Sequence, residues 1–360
     1  MIKKLISSIL WFITVPLCIY TLFVYLLSYS LLSEYWVSSF MMMSLQVAIL
    51  GCFIVMLTYL FIRPSRSILP FMVLLLGFPF VIRTIHFGSV GRTKQPLSVL
   101  SYNVAGFYGD DYDKKKDTIQ HLIGWVDNFD ADIKCLQEFY NWDETKAFQT
   151  IKTFKKNYPH TAFTQPEGIK NNEGELGLAV FSKYPIIYQD ERLFSAANNG
   201  YLICDIVRDK DTIRIINVHL WSMGIRVGRV AKELKQEDYD DAKKESKSIL
   251  NLLKIGFKER LKEIKVIRKL VDKSPYPIIL CGDFNETPYG HAYGSIRDRL
   301  NNAFEEGGNG FGFTLNRSPK YIRIDNQFFS DPIQLVKFIT HKEVQYSDHF
   351  PISAVYCLEK

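Results

Sequence analysis

Uncharged apolar runs crowd the start of this chain, and a shorter-period pattern takes over after about residue 90. Leu5 to Leu32 carries no charge and follows Lys3 and Lys4; Phe40 to Ile62 is likewise uncharged. Each exceeds the roughly 20 residues that cross about 30 Å of hydrocarbon. The first has neither the short apolar core nor the small-residue cleavage site of a signal peptide. A third run, Ile68 to Ile82, is shorter and holds Pro70, Gly77 and Pro79. Extended to Phe87, with Arg83 snorkelling to the interface, it also reaches across. The pattern predicts a membrane region over residues 1–90, with two to three transmembrane helices, and a second domain over residues 91–360.

Basic residues predict the orientation. Lys3 and Lys4 place the N-terminus inside, the Ser33–Ser39 connection has no Lys or Arg, and Arg63 with Arg66 lie inside again. Three spans put the second domain on the outer, periplasmic side of a cytoplasmic membrane. A re-entrant third segment keeps it inside. Arg83, Arg92 and Lys94 pull towards the second outcome, and the three-span reading is favoured.

From Pro96 onward short apolar runs alternate with charged stretches. Leu97–Val104, Asp132–Gln137, Leu178–Ser182, Tyr201–Val207, Thr212–Leu220, Tyr276–Cys281, Tyr321–Phe329 and Ile352–Leu358 read as strands. Asp209-Lys210-Asp211 reads as a hairpin connection. Lys114–Phe129 has helical spacing, with Ile119, Leu122, Ile123 and Val126 on one face. Arg226 to Lys273 is charged and helical in its second half, where Leu253, Phe257, Leu261, Ile264 and Ile267 recur; it is a packed helix with a solvated charged face, or else a basic lid or membrane-facing element. Strands outnumber helices without strict β-α-β alternation, so two packed sheets with helices outside are predicted.

Composition adds little. Hydrophobic residues make up 47% of the 360, but most of the excess lies in the first region. The net charge of +6 suits phosphodiesters or acidic lipid surfaces without choosing between them. The six cysteines include no Cys-x-x-Cys pair, so isolated buried thiols fit better than zinc ligands.

The chemistry is carried at strand ends. Gly282-Asp283-Phe284-Asn285 follows the apolar Pro277–Cys281. A carboxylate and a carboxamide two residues apart fall on one side of a strand. Such a pair is suited to hold a water and a phosphate oxygen together. Alone it is an ordinary exit from a strand into a turn. Yet Asn103, Glu138, the Asn217/His219 pair, Asp325 and Ser347-Asp348-His349 also end or interrupt apolar runs.

Taken in order, Ser-Tyr-Asn103-Val, Leu-Gln-Glu138, Phe-Ser-Lys-Tyr-Pro185-Ile, Asn217-Val-His219-Leu, Gly-Asp283-Phe-Asn285, Arg-Ile-Asp325 and Ser-Asp348-His349-Phe-Pro351 resemble the endonuclease/exonuclease/phosphatase superfamily. That group includes deoxyribonuclease I, abasic-site nucleases, neutral sphingomyelinases and inositol polyphosphate 5-phosphatases. The resemblance covers about residues 97–358 and implies an α/β fold, a four-layer α-β-β-α sandwich of deoxyribonuclease I type. It implies a Mg2+-dependent phosphoesterase, with Mn2+ as a possible substitute. Glu138 would be the principal metal ligand, with Asn103 beside it and Asp348 as a further ligand. Asp283 would orient and deprotonate the attacking water, and Asn285 would hold a phosphate oxygen. His349, fixed by Asp325, and His219 would act on the scissile phosphate, with Asn217 in the same cleft. His219 sets the chain apart from the abasic-site nucleases. Asn326 and Gln327 depart from the family pattern, and Gly307-Gly308-Asn309-Gly310 before Phe311 suggests a mobile loop shaping specificity.

Two classes stay open at this point: a membrane-anchored phosphodiester hydrolase, or an inactive membrane-tethered binding module of the same fold. The substrate is a phosphodiester of nucleic acid or of a phospholipid head group. Lys114–Lys116, Arg226, Arg229 and the Lys254–Lys273 cluster are candidates for a groove that follows a nucleic-acid backbone. The implied partners are that substrate and the lipid bilayer; no protein partner is inferable. A fragment beginning at Arg92 is expected to fold alone, since every matched residue lies beyond Tyr102.

Overall fold

The uncharged runs satisfy their backbone hydrogen bonds internally, as helices must where side chains offer no polar partner. The computed structural model describes residues 2–31, 33–88, 91–93, 95–107, 116–164, 174–194, 199–222, 239–317 and 321–358. Its first part is α1 (Ile2–Ser30), α2 (Trp36–Met43), α3 (Leu45–Ile62), α4 (Ile68–Leu76) and α5 (Phe78–Val81). Two helices, Lys4–Ser30 and Leu45–Ile62, are long and apolar enough to cross a membrane. Their outer surfaces are greasy: Phe12, Val47 and Phe61 are 81%, 73% and 82% exposed.

The third run is broken. A side chain at Gly77 would collide with the Tyr25 hydroxyl, and α4 stops there. Nine helical residues rise only about 14 Å, so α4 by itself is no span. The three legs nevertheless connect the same two ends. At one end Arg66 donates to the Ser7 carbonyl (2.5 Å) and hydroxyl (3.0 Å) and lies over Trp11. At the other end Tyr25 stacks on Phe80 with ring centroids 5.0 Å apart. Ser7 and Tyr25 are separated by about 27 Å of helix rise, close to the hydrocarbon thickness of a bilayer.

A short ribbon comes next, in which β1 (Ile85–Phe87) pairs with β11 (Asn309–Phe311). Beyond it two six-stranded sheets face each other. The first contains β2 (Leu97–Asn103), β3 (Ile133–Asn141), β4 (His160–Phe163), β5 (Glu175–Ser182), β13 (Ile333–Thr340) and β14 (Ile352–Leu358), in the order β13-β14-β2-β3-β5-β4. The second contains β6 (Ile186–Leu193), β7 (Gly200–Arg208), β8 (Asp211–His219), β9 (Ile278–Asp283), β10 (Asn301–Asn302) and β12 (Asp325–Phe329), in the order β10-β12-β9-β8-β7-β6. The hairpin between β7 and β8 turns at Asp209, where φ is 56°.

Alternation along the strands builds the layers. Val99, Cys135 and Val180 point inward from the first sheet and meet Cys204, Ile215 and Cys281 of the second. The opposite faces are covered by helices. On the first sheet, α6 (Lys116–Asn128) sets Ile119, Leu122, Ile123 and Val126 against Tyr102, Leu136 and Phe181, and α7 (Thr150–Phe154) adds Phe154. On the second, α8 (Tyr239–Asp272) sets Ile264, Ile267 and Val271 against Ile216, Val218 and Leu280. Next to it lies α9 (His291–Arg297), with Ala292, Tyr293 and Ile296. The four-layer α-β-β-α sandwich is the expected one. Each fully buried Ile, Leu or Val contributes about 1.5–3 kcal/mol. Cys18, Cys52, Cys135, Cys204 and Cys281 are buried thiols, as their isolated spacing implied.

Three expectations change. Strands β4, β6, β10 and β13 are absent from the sequence pattern; β6 is an edge strand whose sides are both partly exposed, so its apolar signal is weak. The glycine-rich approach to Phe311 is no loose loop. It contributes α10 (Ala303–Gly307) and then β11, held by β1 and by the Gly88 N–H donating to the Gly308 carbonyl at 2.8 Å. Finally, residues 85–88, which the sequence reading assigned to the membrane region, pair with the sandwich, so a boundary at residue 90 cuts through contacts.

The junction is substantial. Tyr289, on the loop after β9, is buried in one cluster with Tyr25, Leu45, Val73 and Phe80 of the helical part and is hydrogen-bonded to Thr84. Arg83 is 4% exposed and donates to the Pro288 carbonyl at 3.0 Å, while its own carbonyl accepts from Arg323 at 2.8 Å. A fragment beginning at Arg92 loses all of these partners. We expect it to aggregate, or to melt at least about 5 °C below the full chain in detergent. Equal melting temperatures by scanning fluorimetry would show that the helical part lends the sandwich no stability.

Candidate active site

The polar strand ends gather at one rim of the sandwich because register puts them there. In the parallel pair β8–β9, His219 stands opposite Asp283. In the antiparallel pair β9–β12, Asp325 stands opposite Asp283 on the other side. Asp283 is thus the central carboxylate of three adjacent strands. Gly282 makes the approach possible: its φ is +142°, and a Cβ there would strike the Val218 carbonyl. No other residue type adopts that backbone without strain.

The other sheet supplies Asn103 and Glu138. Asn103 ends β2, is buried, and donates through Nδ2 to Asp283 Oδ2 and to Glu138 Oε1, both at 3.0 Å. Its Oδ1 accepts the Ala105 N–H at 3.0 Å. Glu138 sits where the β3–β5 register shifts between Leu136 and Phe139, at φ 48°. This irregularity leaves its side chain 32% exposed among buried neighbours. His219 Nε2 lies 3.5 Å from Glu138 Oε1 and 3.8 Å from Asp283 Oδ2.

His349 closes the rim. Its Nδ1 donates to Asp325 Oδ2 at 2.9 Å, and its Nε2 lies 3.7 Å from Asp283 Oδ2 and 3.9 Å from Asp348 Oδ1. Burial alone would lower the imidazole pKa; the Asp325, Asp283 and Asp348 carboxylates overcome it and hold the ring well above its usual range. For Asp283, burial is the main effect and raises the carboxyl, aided by Asp325 and opposed by His349 and His219. One oxygen from each of Asp283 and Asp325 and one nitrogen of His349 lie within 4.8 Å of one another. Asp348 is less enclosed, at 31% exposure, and pairs with Arg317 at 3.2 Å.

Two carboxamides sit differently from expectation. Asn217 is fully buried between the sheets; Nδ2 donates to the Leu136 and Ala179 carbonyls at 3.0 and 3.1 Å, and Oδ1 accepts from Gln137. With both amide hydrogens engaged it joins the sheets instead of offering a donor to a phosphate. Asn285 is at the rim, at φ 48°, but its Nδ2 donates to the Leu220 carbonyl and to Asp283 Oδ2 at 3.0 and 3.2 Å. Its backbone N–H also binds Asp283 Oδ1 at 2.8 Å, so it orients that carboxylate.

Some residues beside the site were not singled out from sequence. Arg260 is buried on the packed face of α8 and donates to the Asn285 carbonyl at 2.7 Å. An arginine at a core position of the Leu253–Phe257–Ile264 periodicity was the available signal. Ser347 Oγ donates to the Asn103 carbonyl at 2.8 Å, tying β2 to the His349 segment. Gln327, one of the two departures from the family pattern, binds the Val99 and Ile352 carbonyls across the sheets, and Asn326 accepts from Arg323. Both are structural. Lys114, Lys115, Arg226 and Arg229 lie outside the described residues.

A four-layer sandwich with carboxylates and two histidines at one rim defines an α/β fold of the deoxyribonuclease I class. The chain belongs to the Endonuclease/Exonuclease/phosphatase family, whose model matches residues 100–349. A second model, a domain of unknown function, matches residues 7–84. An endonuclease/exonuclease/phosphatase from Beutenbergia cavernae is similar with a TM-score of 0.52 at 14% identity, covering 74% of this chain and 72% of that one. A family protein from Leptotrichia buccalis gives 0.52 at 17%, covering 73% and 100%. D. rerio TDP2 complexed with single strand DNA product gives 0.50 at 16%, covering 73% and 100%. At these identities the likeness is one of fold. No curated protein matches the sequence.

The His349–Asp325 pair yields a pH prediction. A histidine whose folded pKa is raised adds stability that is fully present below its unfolded value of about 6.5 and is lost as pH rises through the folded value. In the metal-free protein, the His349 ring should titrate above the ordinary histidine range by NMR, and Asp325→Asn should bring its pKa down. A wild-type ring titrating at the ordinary value would refute the pairing as the cause.

Proposed function

We propose that this protein is a membrane-anchored, divalent-cation-dependent phosphoesterase that hydrolyses a phosphodiester by attack of water. The observation that carries the reading is the convergence of Asp283, Glu138, His219 and the His349–Asp325 pair on one rim.

The donor set fits a hard cation. Glu138, Asp283, Asp325 and Asp348 crowd the rim, and Asn103 donates to two of these carboxylates. Such a cluster favours a cation with oxygen ligands. Glu138, partly exposed, with Asn103 and Asp348 near the rim, would hold Mg2+ or Mn2+. When bound, the ion supplies Lewis-acid stabilisation of charge on the phosphoryl oxygens.

The chain's own groups do the remainder. Asp283, oriented by Asn285 and Asn103, positions the attacking water and accepts its proton; burial makes this carboxylate more basic than a free one. His349, kept protonated by Asp325, donates from Nε2 to a non-bridging oxygen. His219 donates from the neighbouring strand. Both Nε2 atoms face Asp283 Oδ2, at 3.7–3.8 Å, on the side where the attacked phosphate would lie. Donors fixed in advance stabilise the charge that builds on the phosphorane without reorganising.

The substrate is a phosphodiester of nucleic acid or of a phospholipid head group. The DNA-bound D. rerio fold relative supports the first, and the apolar helices support the second. The competing reading, an inactive tethered module, is disfavoured because each matched metal and histidine position keeps its polar group. In a screen over plasmid DNA, RNA, sphingomyelin-like lipids and inositol phosphates, activity should need Mg2+ or Mn2+ and vanish in excess EDTA. Glu138→Gln should lower it by at least about 100-fold with the fold intact. Full turnover in EDTA would reject the cation dependence, and no turnover on any phosphoester would reject the hydrolytic reading.

The anchoring reading extends to orientation. Lys4, Arg63 and Arg66 belong to the end of the helices remote from the sandwich, where Arg66 meets Ser7. The sandwich packs on the other end, through Tyr289 and Glu34. Under the positive-inside tendency this supports a catalytic domain on the outer side of the cytoplasmic membrane. A reporter fused after Lys360 should be active only on that side; a cytoplasm-active reporter would reverse the assignment.

A further inference from the structure

The helix α8 carries more than its packed face. Lys243, Lys247, Lys254, Lys258 and Lys265 follow one another at spacings of four, seven, four and seven residues, which places them along a single line of the helix. That line runs beside the connection between α1 and α2. Lys265 pairs with Glu34 at 2.5 Å, and Lys254 stands over the Trp36 ring at 5.7 Å. Glu34, Tyr35, Trp36, Lys254 and Lys258 line one groove, and α2 packs along α8. Tyr35 is 69% exposed at the end of the apolar helices.

The N-terminal half of α8 is poorly accounted for by the sandwich. Among its described side chains the first buried one is Leu253. Leu250, Leu252 and Ile255 are exposed large hydrophobics interleaved with the lysines. A helix with exposed leucines and a lysine line, beside a Trp–Tyr pair at the end of spanning-length helices, has the composition of an interfacial helix.

We propose that the N-terminal half of α8 lies on the bilayer that holds α1 and α3, with Lys243, Lys247, Lys254 and Lys258 contacting the phosphates of acidic phospholipids. The inference rests on the membrane-anchored reading above. Charge complementarity selects acidic head groups. Continuity with the apolar surface of α1 and α3 selects the same bilayer. Glu34 offsets the charge of Lys265, so the other four lysines carry the attraction. Trp36 and Tyr35 sit at head-group depth and set the level of the helix. The sandwich is thereby held against the membrane by a second contact besides the Tyr289 junction.

The test uses the full chain in nanodiscs of phosphatidylcholine alone, or of phosphatidylcholine mixed with phosphatidylglycerol, followed by hydrogen–deuterium exchange. Backbone amides of residues 243–258 should exchange more slowly in the mixed discs, by on the order of tenfold at low salt, and the difference should fade at high salt. Lys243→Gln, Lys247→Gln, Lys254→Gln and Lys258→Gln combined should abolish the difference while exchange in β9 stays unchanged, which reports an intact fold. Equal exchange in both discs would overturn the proposal. So would equal protection produced in phosphatidylcholine discs by a DNA duplex, which would assign the lysines to nucleic acid. Release of the chain from membranes by alkaline carbonate would overturn the anchoring itself. Retention in carbonate without a phosphatidylglycerol effect would overturn only the lysine contact.

Discussion

The hydrogen bonds from Asn103 to Asp283 and Glu138 hold the site together, because the first of them joins two separate sheets. The centre of the sandwich is apolar and has no directional preference of its own. Polar bridges supply that direction. Asn217 reaches from the second sheet to Leu136 and Ala179, and Gln327 reaches from it to Val99 and Ile352. A buried amide left without partners costs about 1–3 kcal/mol, so a slip of one sheet over the other would be penalised at each bridge. The rim inherits that fixed relation, and Asn103 closes it.

Asp283 gains its setting from both directions. Along the sheet, register places His219 on one side and Asp325 on the other. Across the sheets, Asn103 meets it. Shifting β9 by one residue would turn Asp283 away from this company and put Gly282 in its place. Positive-φ backbone at Gly282, Asn285 and Glu138 falls at positions that aim these side chains, while Leu31 and Asp209 adopt it away from the rim.

The apolar helices are joined to the sandwich by more than a linker. Tyr289 lies four residues beyond Asn285, and Arg323 lies two before Asp325. Both are held by Arg83, Thr84 and Phe80 at the end of the third apolar leg. The segments that carry Asn285 and Asp325 therefore share a buried footing with the helices. A chain cut after residue 90 keeps every polar residue of the rim and loses this footing.

The sequence by itself determined the change from long uncharged runs to short strands, eight of those strands, and which polar residues end or interrupt them. Apolar period and strand-end polarity are local properties, readable from neighbours in the chain. The resemblance to the family rested on the same strand ends and extended over the region that the family model matches. Whether a carboxamide faces the cleft or the core depends on its depth between two sheets, which no local pattern encodes. Asn217 and His219 share a strand face, yet Asn217 is spent on main-chain carbonyls while His219 reaches the carboxylates. Edge strand β6 and the ribbon of β1 with β11 were likewise decided by long-range pairing. The seam between helices and sandwich was also tertiary: Arg83 reads as a snorkelling residue in the chain and becomes a buried tie only when Pro288 and Arg323 fold against it.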